Sequence, residues 1–204
     1  MKKIAIIAFL LTVSVAAVRA QESRQDFSLS GTGLIEPFVA SSTDVEVSAN
    51  RALGALASYR FMLTPSSAFE ANYGITYQHT NSYTISNTDH YNISNRVQEI
   101  SGAYVHVFNF RKYNPFLEAG PAAFIFLPIR NSGTTTLNAK QQTEVGAIYG
   151  AGIAYEISPS FDIRAQYRGM ITKVPTFSDT TDGLSTNKWY KTIYEPVIGV
   201  AYHF

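Results

Sequence analysis

Cysteine is absent from the 204-residue chain, so its fold must be held without disulfides. Beyond the first twenty residues, no stretch approaches the run of about twenty apolar side chains that a transmembrane helix requires. If the chain crosses a bilayer, it crosses with strands. Charge is sparse as well, at 15% of residues. With Lys2, Lys3 and Arg19 set aside in a leader, 13 of the 16 basic residues face 15 acidic ones. That balance gives no electrostatic basis for a nucleic-acid partner. The four histidines, His79, His90, His106 and His203, are scattered without metal-site spacing, so neither a metal nor a cofactor is expected.

The chain opens with Met1, Lys2 and Lys3, continues with an apolar stretch from Ile4 to Val18, and then reads Arg19 and Ala20. A short basic start, an apolar segment and small residues at positions 18 and 20 are the pattern of a secretory signal peptide cut before Gln21. The expected organisation is a signal peptide over 1–20 and one domain over 21–204.

What the sequence does have is aromatics, 13 Tyr and 13 Phe, and a period of two. From Ala52 to Leu63 the odd positions are Leu53, Ala55, Ala57, Tyr59, Phe61 and Leu63. After Thr64–Ser67, the residues Phe69, Ala71, Tyr73, Ile75 and Tyr77 alternate with Glu70, Asn72, Gly74, Thr76 and Gln78. Apolar side chains at every second position put one oily face on a strand, and the intervening turn makes a hairpin. A second hairpin sets Ala147, Tyr149, Ala151, Ile153, Tyr155 and Ile157 before Ser158–Pro159–Ser160, and Phe161, Ile163, Ala165, Tyr167 and Ile171 after it. Each run has the roughly 9–11 residues of a tilted membrane strand.

Four further strands are expected at Asp26 to Ile35, Val97 to Phe108, Pro115 to Leu127 and Tyr190 to Phe204. The connectors then alternate long (36–51, 79–96, 128–143, 173–189) and short (64–67, 109–114, 158–160). This is the wiring of an all-β, eight-stranded antiparallel up-and-down transmembrane β-barrel, with tight turns at one end and long exposed loops at the other. Pro121 and Pro196 fall inside strands whose N–H groups should pair, so a bulge or bend is expected at each. The fourth strand leaves its facing open: Ile100, Tyr104 and Phe108 favour even positions outward, while Ala103, Val105 and Val107 permit the opposite register.

Alternation alone does not say whether the oily face points in or out. The ending does: Ile198, Val200, Tyr202 and Phe204 alternate up to a terminal aromatic. It resembles the terminal signature of bacterial outer-membrane proteins, which the outer-membrane insertion machinery recognises. With the leader and the eight runs, the whole mature chain is similar to the small OmpA/OmpX-like family of barrel domains. The resemblance implies residence in the bacterial outer membrane, contact with its lipid and lipopolysaccharide, and a monomer. No cell-wall-binding domain is expected beyond the last strand. The architecture hosts many functions and so specifies none.

Inward, the expected lumen charges are Arg60, Glu70, Glu156, Asp162, Arg164 and Arg168. Opposite signs should pair and plug so narrow a bore, with Arg60 opposite Glu70 and Glu156 diagonal to Arg164. No catalytic set is expected. His90, Ser94 and Asn95 resemble in residue type the His-x-Ser-Asn segment of outer-membrane phospholipases, but at a different spacing. Asp179, Asp182 and Gly183 read first as a turn rather than a calcium loop. The leading expectation is a non-enzymatic surface barrel. Its rivals are a narrow channel for small solutes, a membrane-embedded lipid hydrolase and a soluble periplasmic ligand-binding barrel.

Overall fold

The computed structural model describes residues 24–37, 39–40, 45–85, 89–129, 140–175, 177 and 190–204. The expected leader, its cleavage site, and Asp179, Asp182 and Gly183 lie outside them. The described residues form ten strands: β1 Gln25–Leu34, β2 Val39–Ala40, β3 Val45–Ala49, β4 Ala52–Thr64, β5 Ser67–Ile85, β6 Asp89–Val107, β7 Tyr113–Pro128, β8 Gln142–Ser158, β9 Phe161–Lys173 and β10 Tyr190–His203. Eight of them close a ring. Each of β4 to β10 pairs antiparallel with the next, and β1 joins β10 to β4. Closure leaves no unpaired edge in the wall, which is what a bilayer demands of a sheet.

The outer face is the apolar one. Leu53 is 80% exposed, and Leu29, Phe69, Ile100, Leu117, Tyr149, Tyr167 and Ile198 are exposed with it. Their neighbours in sequence, among them Ser28, Ser58, Arg60, Glu70, Asn72, Glu118, Arg164 and Arg168, are buried inside. A water-soluble barrel would reverse this order, so the hydrocarbon-facing reading holds. In the fourth wall strand, β6, Ile100 and Tyr104 point out while Ala103, Val105 and Val107 are buried. The facing follows from Glu99, which shares the odd positions and would otherwise stand in hydrocarbon.

Of the bulge or bend expected at Pro121 and Pro196, no bulge forms at either. On its β6 side the β7 ladder stops at Ala122↔Ser101 and resumes at Ala119↔Tyr104 in unchanged register. The β1–β10 ladder likewise stops at Thr32↔Val197 and is taken up by the Ile35–Tyr194 bridge. Each proline costs ladder bonds without inserting a residue, and both face outward. Close approach absorbs the first gap: a β-carbon on Gly120 would lie 1.9 Å from the Gly102 carbonyl oxygen. One of the register shifts occurs instead between Thr76 and His79, at Gln78, whose φ is 55°. The extra residue flips the faces, so His79 and Asn81 are buried although both are odd-numbered and the buried residues below them are even.

The segment 79–96, expected as a loop, is strand for most of its length. β5 runs on to Ile85, returns from Asp89 as β6, and is flanked by β3 and β2, which were also expected as loop. Thr, Ser and Asn pair in this sheet as apolar residues do elsewhere. A polar stretch without apolar alternation is therefore no proof of a loop. Arg24, Phe204 and the short turns share one end of the barrel, called the turn end below. The four-stranded extension stands at the other.

Candidate functional site

The interior is organised in three levels. At the turn end, Asp26 of β1, Asp162 and Arg164 of β9 and His203 of β10 line a cavity of about 170 Å³ together with Arg60, Asn109 and Asn114. Arg164 Nη2 lies 2.7 Å from Asp26 Oδ2, and His203 Nε2 lies 2.8 Å from Asp162 Oδ2. Arg164 can reach across β10 to β1 because the position between them is Gly199, which pairs with Arg164 on one side and Ser30 on the other.

The middle level carries the strongest electrostatics. Arg60 Nε donates to Glu70 Oε2 at 2.7 Å across the β4–β5 ladder, and its guanidinium sits 4.7 Å from the ring centre of Phe116. Arg168 is fully buried and meets carboxylates from three strands. Its Nη2 donates to Glu99 Oε1 at 2.5 Å and its Nη1 to Glu195 Oε2 at 2.5 Å, while Nε lies 3.2 Å from Glu118 Oε1. Five N–H groups on one planar cation make such a junction possible where a lysine would fail.

Above this level the lumen turns apolar. Leu34, Ile93, Val97, Phe124, Phe126, Ile148, Met170, Val174, Phe177 and Ile193 form one buried cluster. Set into it, Glu36 accepts from Lys191 Nζ at 2.7 and 2.8 Å and shares a 3.0 Å hydrogen bond with His79 Nε2. Glu36 lies beyond the end of β1, at the rim. Burial raises its pKa, but Lys191 and His79 outweigh that and hold it at about 2.

Of the six charges expected in the lumen, Arg60 and Glu70 are brought together, and Asp162, Arg164 and Arg168 are buried there with other partners. Glu156 is half-buried and does not meet Arg164: it stands opposite Asp162 in the β8–β9 ladder, while Arg164 takes Asp26 instead. Ile198, Val200 and Tyr202 face outward on β10, and Phe204 stacks near Tyr202 and Tyr59. Sequence reasoning missed Asp26, Glu36, His79, Glu99, Glu118, Lys191 and Glu195. A signal was there for Glu118 and Glu195, each a lone carboxylate inside an otherwise apolar strand. Ser94 bonds Thr80 through its hydroxyl at 2.9 Å across the β5–β6 ladder, so the phospholipase-like residues sit in a paired strand rather than a loop.

Comparison with known proteins agrees with this geometry. The model described as "Outer membrane protein beta-barrel domain" matches residues 5–204. No curated protein matches by sequence. Among solved structures, OprG of Pseudomonas aeruginosa aligns with a TM-score of 0.64 at 10% identity, over 91% of this chain and 98% of that one. Neisserial surface protein A gives 0.56 at 14%, over 87% and 97%. The N-terminal barrel of OprF, also from Pseudomonas aeruginosa, gives 0.52 at 17%, over 91% and 100%. These identities establish shared fold and not shared activity. With its apolar outside, its closed eight-strand ring and this match along nearly its whole length, the chain belongs to the outer membrane protein β-barrel domain family and resides in the bacterial outer membrane.

Proposed function

We propose that this protein is a non-enzymatic surface barrel that presents the β2–β3–β5–β6 extension to lipopolysaccharide or to neighbouring surfaces, its lumen serving as a structural core rather than a pore. One observation carries the reading: the bore is crossed at mid-height by Arg60–Glu70 and the Arg168 junction, and above them by the apolar cluster. A barrel filled in this way has its free chemistry on the outside. The extension adds polar strands beyond the wall, and the neisserial protein of like fold is named a surface protein.

Planar-bilayer recording tests it, together with surface binding. The wild-type barrel should give no steady conductance, and Glu70→Ala should open it intermittently. Cells displaying a variant trimmed of residues 80–93 should keep an SDS-resistant barrel and lose attachment to lipopolysaccharide-coated surfaces. Wide, stable wild-type channels would instead make the protein a solute channel.

A further inference from the structure

The hydrocarbon-facing wall is not evenly covered. Over the gap that Pro121 leaves in the β6–β7 ladder lies an apolar groove of about 570 Å³. Its floor is made of small outward residues, Ala71 of β5, Gly102 of β6 and Pro121 of β7, and its walls of the rings of Tyr59, Phe69 and Tyr104. Ala71 and Gly102 stand opposite each other, and farther from the turn end than the Phe69–Tyr104 pair. The Tyr104 hydroxyl is hydrogen-bonded to Ser67 Oγ at 2.8 Å, so it is held toward the turn end and leaves the body of the ring to the groove. A β-carbon added to Gly102 would meet nothing within 4 Å. The hollow exists because side chains are missing there. Its volume falls in the range of roughly 300–1,000 Å³ that holds one small ligand, and left empty its lining would forfeit dispersion contacts.

A second feature lies on the same hairpin. β6 and β7 are joined by a tight turn whose outermost residues read Phe110, Arg111, Lys112 and Tyr113. Phe110 and Tyr113 are exposed at 64% and 57%, and Arg111 and Lys112 are exposed between them. Amphipathic rings sit at headgroup level, and basic side chains beside them attract anionic headgroups. From Gly102 to Arg111 the hairpin runs nine residues. At about 3.3 Å per residue and a tilt of about 40°, that is roughly 20 Å along the bilayer normal. A bilayer of about 40–45 Å has leaflets of this depth, so groove and cations are one lipid apart. Short turns of such barrels lie on the periplasmic side. The leaflet is therefore the periplasmic one, and its lipid a phospholipid rather than lipopolysaccharide.

We propose that the β5–β7 groove binds one acyl chain of a phospholipid of the periplasmic leaflet, whose phosphate is met by Arg111 and Lys112. A lipid held at both ends exchanges more slowly than its neighbours around the barrel and stays with the protein on extraction. The site is independent of whatever the outer extension binds.

The experiment reconstitutes the full mature barrel into vesicles of phosphatidylglycerol and phosphatidylethanolamine in equal parts, extracts it into mild non-ionic detergent and weighs the complexes by native mass spectrometry. The wild type should carry one phospholipid, with phosphatidylglycerol over-represented because its headgroup bears the net negative charge that the turn selects. Gly102→Leu places a side chain in the open groove and should lose the lipid. Ala71→Leu fills the same floor from β5 and decides the matter if Gly102→Leu fails to fold. Arg111→Gln combined with Lys112→Gln should keep a bound lipid but lose the preference for phosphatidylglycerol. Gly31→Leu is the control: it adds the same side chain at another outward glycine whose β-carbon would meet nothing within 4 Å, in a recess of about 420 Å³ beside Pro196, and should change nothing. A wild type that retains no lipid overturns the proposal, as does retention that survives both groove-filling variants or falls equally in Gly31→Leu. A headgroup preference absent from the wild type, or unchanged by the turn variant, overturns the role of Arg111 and Lys112. Barrels that emerge as pairs, and are separated by Gly102→Leu, mean that a second copy fills the groove, and overturn the proposal too.

Discussion

The middle and the outer part of the lumen are filled by opposite means. At mid-height, polar side chains alternate strictly with apolar outward ones, and Arg168 ties three strands together through its carboxylate partners. Higher up, β7 presents Phe124 and Phe126 inward while Ile125 and Leu127 on its other face are only partly exposed. Both faces of the strand are apolar there. The contrast shows that the lumen of a membrane barrel need not be polar. Where the wall carries a charge network the bore is closed by ion pairs, and where it does not, the bore closes by packing like an ordinary protein core.

The comparison breaks most severely at Arg168. Arg168→Ala removes the only cation shared by three buried carboxylates, so the loss should meet or exceed the roughly 3–5 kcal/mol typical of breaking a buried pair. Failure to migrate as a compact, heat-modifiable species on gels is the expected readout, and near-wild-type stability would mean that the carboxylates have other partners. In the outer region, Phe126→Ala removes the ring packed edge-on against Phe177 at 6.3 Å and lying 5.6 Å from Lys191 Nζ. A large-to-small change of this kind costs about 3–5 kcal/mol, here without the added penalty of orphaned charge. Refolding titrations of both variants in lipid vesicles should therefore rank Arg168→Ala as the worse.

Next in size is the wall itself. Ile163 lies on the hydrocarbon face of β9, and Ile163→Arg should cost about 2–4 kcal/mol near the midplane. Ile75→Arg tests the same face on β5, while Thr76→Arg, one residue along, turns inward beside polar neighbours and should be milder. Equal penalties for Ile75→Arg and Thr76→Arg in vesicle refolding would undo the assignment of faces.

How much of this was legible depends on where the period of two survives. It survives in β4, β5, β8 and β9, where Leu53 to Leu63 and Ile153 to Ile171 alternate cleanly, and there the strands and faces were readable before any coordinates. It fails in β6, where Val105 and Val107 compete with Tyr104, because an apolar lumen wall and an apolar lipid wall carry the same residues. It fails again beyond Gln78, since a bulge shifts the face by one residue and no residue type announces it. The Arg60–Glu70 pair was visible because hairpin register places both residues opposite each other. The Arg168 junction was not: Glu195 stands directly opposite it in the β9–β10 ladder, but across the long 173–189 connector, and Glu99 and Glu118 come from β6 and β7, up to 69 residues away, so only the closed wall brings all four together. For the same reason the link of Glu36 to Lys191, 155 residues apart, had no local trace.

That rim site gives the smallest expected effect and the one with a defined pH signature. Glu36 has its pKa held at about 2, below the ordinary 4.5, by Lys191 and His79 against the opposing pull of burial. A depressed carboxylate stabilises the fold at pH values above its unfolded pKa and loses that contribution as pH falls through its folded one. Stability should therefore decline from about pH 4.5 down to about pH 2. Glu36→Gln keeps the shape and a hydrogen-bonding oxygen for Lys191 but lacks the charge, so it should start lower by about 1.5–3 kcal/mol, the range of a hydrogen bond to a charged group, and be flatter across that window. Urea midpoints of the two proteins measured from pH 7 to pH 2 should converge on acidification. The middle of the lumen predicts no such convergence for Glu36→Gln, because its carboxylates are untouched by the change. Curves that stay parallel throughout would show that Glu36 does not carry its charge into the folded rim.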